Sequence, residues 1–163
     1  MNSHDIAVGL SNVTNDELLP TEIFYEIARL SMMPVVELVP LRHRNGHVEV
    51  LFVQREDTDP YWPNMLHTPD TVLRPRDIHG GFDRALDRIF RDELHCQPTS
   101  ATHYLGTYFL DFVRGAAIAH VYYVNLDNPS TYGTWYRCDE LPANIIPEQI
   151  PFIESCVRSF TQQ

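Results

Sequence analysis

The sequence predicts an α+β fold, a mixed sheet with helices packed against it. Segments with the apolar spacing of helices and segments that alternate like strands follow one another in the order helix, strands, helix, strands, helix. The chain has 163 residues, 44% of them hydrophobic, and can bury a core without disulfides or structural metals. We therefore expect one domain, residues 20–163, after a loosely structured lead-in of residues 1–19.

Each element is read from its local pattern. Pro20 suits the first turn of a helix over residues 20–31, and Gly80-Gly81 opens a second helix that we expect to be regular over residues 82–95. A third helix is predicted over residues 147–160. Alternating apolar residues predict strands at 33–42, 47–56, 102–113 and 116–126, and a short strand from residue 134.

Composition narrows the classes of function. The net charge is −10, which disfavours binding to a nucleic acid polymer, although local arginines or a metal could hold a small phosphorylated ligand. All twelve basic residues are arginine, so lysine chemistry is excluded. Neither a membrane-spanning run nor a secretory signal pattern is present, and Cys96, Cys138 and Cys156 show no metal-binding spacing. We expect reduced thiols, a cytoplasmic location and no membrane contact.

The second helix contains an unexpected acid. On an α-helical wheel, Glu93 falls within the apolar stripe of this helix. A buried carboxylate is costly unless it is protonated, paired or metal-bound. Arg88 and Asp92, four residues apart, can pair on the flank of the stripe. In one interpretation, Arg88 and Asp92 form an ordinary surface ion pair and Glu93 lies at a fraying helix end. In the other, the two acids of the last turn share a counter-charge such as a metal.

These residues carry a resemblance to a known family. "RIFRDELHC" (residues 88–96), preceded by "HTPDTVLRPRD" (67–77), resembles a degenerate Nudix box. The family pattern is Gly, five residues, Glu, seven residues, then Arg-Glu-U-x-Glu-Glu-x-Gly-U, where U is bulky and apolar. The resemblance extends from about Val35 to Phe160. It implies an α/β/α sandwich with a mixed, curved sheet and helices on both faces.

The match holds at some positions and fails at others. Arg88 matches the family arginine, Asp92 and Glu93 the paired glutamates, and Asp77 the loop glutamate. Ile89 stands where the family has a metal-binding glutamate. Three further departures are 69–71 in place of Pro-Gly-Gly, an insertion at 78–80, and His95 in place of the closing glycine.

The resemblance implies metal-assisted water attack on the pyrophosphate of a nucleoside-diphosphate-linked substrate. By this resemblance, the catalytic residues would be Arg88 and Glu93. The ligands of Mg²⁺ or Mn²⁺ would be Asp92, Glu93 and Asp77. Arg55, Arg74 and Arg76 either offset the charge of substrate phosphate or are ordinary solvated surface residues.

Several roles stay open in the sequence. The general base could be Asp111, Asp139 or Glu140. Trp62 and Trp135 either stack on a base or cap an edge of the core, and the histidines near the box either bind metal or lie there incidentally: His67, His79 and His95. The chain itself could be a working hydrolase, an inactive nucleotide- or protein-binding module, or a structural domain. The lead-in could serve as the arm of a homodimer.

Overall fold

The computed structural model describes residues 2–13, 19–127 and 132–162, which form four α-helices and seven strands. The helices are α1 (Ser3–Ser11), α2 (Thr21–Leu30), α3 (Gly81–Arg88) and α4 (Ile150–Thr161). The strands are β1 (Met33–Arg44), β2 (His47–Gln54), β3 (Leu66–His67), β4 (Asp70–Val72), β5 (Thr102–Phe112), β6 (Gly115–Asn125) and β7 (Thr134–Arg137).

The strands form one mixed sheet. Its main path runs β3-β2-β1-β6-β5, while β4 pairs with β1 and β7 with β2. The β1–β6 pair is parallel and the other named pairs are antiparallel. Strand β1 is therefore central, and it brings the residues that flank β4 next to the C-terminal helix.

Helices cover both faces of the sheet. Because successive side chains of a strand point to opposite faces, β1 contributes to two cores. Val36 and Leu38 pack with the apolar side of α3, and Val35 and Val39 pack with α4. The predicted sandwich is confirmed.

The lead-in contains a helix, so the expectation of loose structure is wrong for its first part. Asn2 accepts the N–H of Asp5 at 3.0 Å, and the Asp5 carboxylate accepts the N–H of Asn2 at 3.1 Å. This reciprocal cap satisfies two donors at the start of α1. None of the residues of α1 is buried. The rest of the lead-in falls partly at residues 14–18, outside the described residues.

The second predicted helix is not regular to its end. Helix α3, which packs against the sheet, ends at Arg88, and a π-helical turn, Ile89–Glu93, follows. The N–H of Leu94 donates to the carbonyl of Ile89 at 3.0 Å, five residues back rather than four. A π turn holds more residues than an α turn, so it changes the direction of every side chain that follows.

Within residues 2–13, 19–127 and 132–162, no helix has the length and apolar character that a membrane span requires. Cys96, Cys138 and Cys156 are free thiols in the structure.

Candidate active site around Glu93 and Asp70

The π turn separates the two acids of the box. Glu93 points inward, and its Oε2 accepts the backbone N–H of Asp70 at 3.2 Å. Asp92 points outward, where Arg91 donates to both of its carboxylate oxygens at 2.6 and 2.9 Å. Burial, and then the negative charge of Asp70, raise the pKa of Glu93 to about 8. Glu93 is partly buried, in keeping with its place on the apolar stripe.

Asp70 is the ionised partner of this acidic pair. It begins β4, and its Oδ2 lies 3.3 Å from Nδ1 of the buried His67. The same Nδ1 lies 2.7 Å from the carbonyl oxygen of Thr68, which identifies it as the protonated ring nitrogen. Burial opposes ionisation of Asp70, but the His67 hydrogen bond and charge outweigh it, so the pKa of Asp70 is lowered.

A third buried acid fixes the backbone beside this pair. Glu37 of β1 is 1% exposed and accepts the hydroxyl of Thr68 at 2.6 Å. The Gln149 amide, at the start of α4, donates to Glu37 at 3.1 Å and accepts the N–H of Thr68 at 3.0 Å. Burial, and then the charge of Asp70, raise the pKa of Glu37. Sequence reasoning missed this network, although one acid inside the apolar run "VVELV" was a usable signal.

Arg88 has a different partner from the one expected. Its guanidinium donates to both oxygens of Asp77, at 2.7 and 3.0 Å. It also donates to the hydroxyl of Thr71 at 3.2 Å and the carbonyl of Val72 at 3.0 Å. The possible Arg88–Asp92 pair does not form, because Arg88 turns toward the loop before the helix and Asp92 pairs with Arg91. Arg88 therefore ties β4 to the 3-10 turn that carries Asp77.

The three acids predicted to bind metal have three different partners. Asp77 is bound by Arg88, Asp92 by Arg91, and Glu93 by the backbone of Asp70. In the described part of the chain, no three or more histidine, cysteine or acidic side chains are grouped for a metal ion. Their joint role as ligands stays a prediction that this arrangement does not favour.

The pair of Glu93 and Asp70 fits a divalent cation better. Both carry oxygen donors, and the Glu93 carboxylate contacts the backbone of Asp70. The pKa of Glu93 is raised first by burial and then by the negative charge of Asp70, and a cation would offset that charge. Mg²⁺ commonly binds through only one or two carboxylates, with water and substrate phosphates completing its coordination. Two partly buried carboxylates therefore suffice for a site that substrate completes.

The predicted substrate-binding arginines fall into two groups. Arg55 follows β2, donates through Nε to Asp59 at 2.8 Å, and lines a cavity of about 490 Å³. Tyr25 of α2 lines the same cavity. Arg74 and Arg76 belong instead to the turn around Asp77. Their roles stay predictions, and the cavity favours Arg55.

The tryptophans, the candidate general bases and the histidines left open by the sequence differ in solvent exposure. Trp62 is buried and meets Phe112 edge-on at 5.3 Å between ring centroids, so it belongs to the core edge. The guanidinium of Arg42 covers the ring of Trp135 at 4.0 Å. Exposed positions hold the three candidate bases and two of the histidines: Asp111, Asp139, Glu140, His79 and His95. Arg137 engages Asp139 and Glu140.

The raised pKa of Glu93 predicts pH-dependent stability. An acid whose pKa is higher in the folded state stabilises that state fully below its ordinary pKa, and this contribution is lost as pH rises through the folded value. Without metal, unfolding free energy should fall by about 1–3 kcal/mol between about pH 5.5 and about pH 9. Urea unfolding of wild type and Glu93→Gln measures it.

Glu93→Gln should flatten that pH dependence, because it removes the titrating group and preserves its shape. Mg²⁺ should raise the melting temperature of wild type at high pH and leave Glu93→Gln unchanged. Equal pH dependence in both proteins would mean that another group titrates, and equal Mg²⁺ responses would place the ion elsewhere.

The sequence matches no protein-family model and no curated protein. Solved structures match its fold. The NUDIX domain of Shewanella oneidensis NrtR, complexed with ADP ribose, has a TM-score of 0.67 and 13% identity, covering 98% of this chain and 99% of that one. A C. elegans Ap4A hydrolase has a TM-score of 0.56 and 14% identity, covering 81% of this chain and 100% of that one.

An NrtR chain complexed with a 27mer DNA is 15% identical and has a TM-score of 0.64. The match covers 78% of this chain but only 62% of the NrtR chain. At such identities the comparisons establish architecture, and they agree with the mixed sheet and the helices on its two faces. This chain has the Nudix fold.

Proposed function

We propose that this protein is a Nudix-type hydrolase that cleaves the pyrophosphate of a small nucleoside-diphosphate-linked compound. The observation that carries the proposal is the pairing of Glu93 with Asp70. Helix α3 and its π turn place the carboxylate of Glu93 against the backbone N–H of Asp70, a residue that carries a second, partly buried carboxylate. Such a pair is suited to a divalent cation and a bound phosphate.

In this proposal the residues of the site have three roles: metal binding, phosphate binding and positioning. Asp70 and Glu93 would hold Mg²⁺ or Mn²⁺, which when bound neutralises phosphate charge and activates water. His67 keeps the Asp70 carboxylate ionised and oriented. Arg55, fixed by Asp59 at the wall of the cavity, would bind phosphate. Arg88 would act by holding the loop of Asp77 in place, so in this proposal it is a positioning residue.

A small ligand fits this chain better than DNA does. The net charge of −10 repels the negatively charged sugar-phosphate backbone of DNA. The 490 Å³ cavity beside Arg55 accommodates a small molecule. ADP ribose and Ap4A, named with two structures of the same fold, are the first compounds to try. The homodimer and the cytoplasmic location stay predictions.

A second candidate is a Nudix-fold module that binds such a ligand without cleaving it. The specific observation in its favour is Ile89, which is 1% exposed where the family resemblance places a metal-binding glutamate. Asp92, the next acid of the box, is turned to the surface by the π turn. Both changes remove charge from the region that would hold a cation.

One screen separates the two functions. Wild type and Glu93→Gln are incubated with nucleoside-diphosphate compounds and Mg²⁺ or Mn²⁺, and phosphate-containing products and melting temperature are recorded together. We expect wild type to release product and Glu93→Gln to be slower by at least about 100-fold, as for removal of a group that stabilises developing charge. Stabilisation without product would support the binding module, and neither response would contradict both.

A further inference from the structure

Arg114 stands inside a cage of aromatic rings at the tip of the β5–β6 hairpin. Its guanidinium carbon lies 5.1 Å from the ring centroid of Trp62, 5.7 Å from that of Phe24 and 5.8 Å from that of Phe112. The hairpin packs closely against α2. A side chain on Gly115, which has a φ of +134°, would collide with the carbonyl oxygen of Ala28.

A second guanidinium lies over the same indole. The guanidinium carbon of Arg55 is 5.9 Å from the ring centroid of Trp62. Its Nε and Nη2 face the carboxylate of Asp59, which also accepts the N–H groups of Tyr61 and Trp62 at 2.9 Å. The Asp59 carboxylate thus holds Arg55 in one orientation through one edge of its guanidinium.

Arg114 has no such partner. Across the described ranges, its guanidinium takes part in no hydrogen bond or ion pair, and the residue is partly exposed. Aromatic faces attract a cation without using its N–H groups. Its forked donors therefore stay available to an oxyanion, the ligand that guanidinium groups bind with two parallel hydrogen bonds.

We propose that Arg114, together with Arg55, forms an anion-binding site over Trp62 that takes a phosphate group of the ligand. This identification of the anion as phosphate rests on the proposed function.

The test is calorimetric titration with inorganic pyrophosphate in EDTA, so that neither metal nor hydrolysis contributes. Arg114→Met keeps an unbranched stem in the aromatic cage and removes the charge and donors. We expect it to weaken pyrophosphate binding by about 10- to 100-fold, the effect of losing a charge-assisted hydrogen bond. The control is Arg44→Met, which removes the same charge from the exposed last residue of β1. Arg44 pairs with His47 at the start of β2, whereas Arg55 follows the end of β2, so this variant should bind pyrophosphate like wild type.

Wild-type protein provides a second measurement that needs no folded variant. The Nε–H resonances of Arg114 and Arg55 should shift on pyrophosphate addition, while that of Arg44 should not. Binding equal to wild type in Arg114→Met, or an Arg114 resonance that does not move at saturation, would overturn the inference. Loss of Mg²⁺-dependent hydrolysis would not overturn the anion site, because the pyrophosphate titrations contain no metal. If Arg114 is required but no compound is cleaved, the anion site stands and the proposed hydrolase fails.

Discussion

Arg88→Gln should lower the free energy of unfolding by about 3–5 kcal/mol, the usual consequence of removing one partner of a buried ion pair. The side chains of Arg88 and Asp77 are only 6% and 4% exposed, and the carboxylate of Asp77 accepts two hydrogen bonds from Arg88. Without the guanidinium, Asp77 would remain buried with an uncompensated charge. Urea unfolding measures the loss.

Two further variants make this prediction specific. Asp77→Asn combined with Arg88→Gln should recover part of the loss, since neither charge then remains. Arg91→Gln removes an arginine whose pair with Asp92 is 65% and 51% exposed, so it should unfold at nearly the wild-type urea concentration. An Arg88→Gln protein as stable as Arg91→Gln would show that the buried pair does not hold the loop.

Ile89→Glu should destabilise the metal-free protein by at least about 3 kcal/mol. Ile89 is 1% exposed in the core between the sheet and α3. Exposing or replacing such a side chain costs about 1.5–3 kcal/mol in apolar burial, and a desolvated charge adds to that. Mn²⁺ should recover part of the loss and increase hydrolysis, because a third carboxylate would then approach the Glu93–Asp70 pair.

Ile89→Gln is the matched control, since it introduces polarity of similar size without charge. Melting curves of both variants and wild type, with and without Mn²⁺, separate packing from metal binding. If all three respond equally to Mn²⁺, this helix does not contribute to a cation site, and the degenerate box belongs to a binding domain.

Periodic features of the fold were predictable because burial imposes their period. The apolar runs of β1 and β2 correspond to strands that are buried on both faces, and the apolar side of α4 corresponds to one buried face. Helix α1 was not predictable in this way, since none of its residues is buried and its start depends on the Asn2–Asp5 cap. A cap of two polar residues gives a weak signal when no apolar pattern follows it.

The site was predictable only in part. The apolar stripe of the box helix correctly indicated that Glu93 faces inward. The π turn at Ile89 was not foreseen, and Arg88 binds Asp77 of the preceding loop rather than Asp92. Asp70 and Glu93 are 23 residues apart and meet only because β4 pairs with β1. Contacts of this kind depend on strand register, which a single sequence does not specify.

Mn²⁺ titration of the wild-type protein, followed by paramagnetic broadening of its NMR signals, tests the central claim most directly. The claim is that the box helix presents Glu93 to Asp70 as a cation site. We expect the amide signals of Asp70 and Glu93 to broaden first, with much weaker broadening in Glu93→Gln. Broadening that begins at exposed acids such as Asp139, and is the same in both proteins, would contradict it.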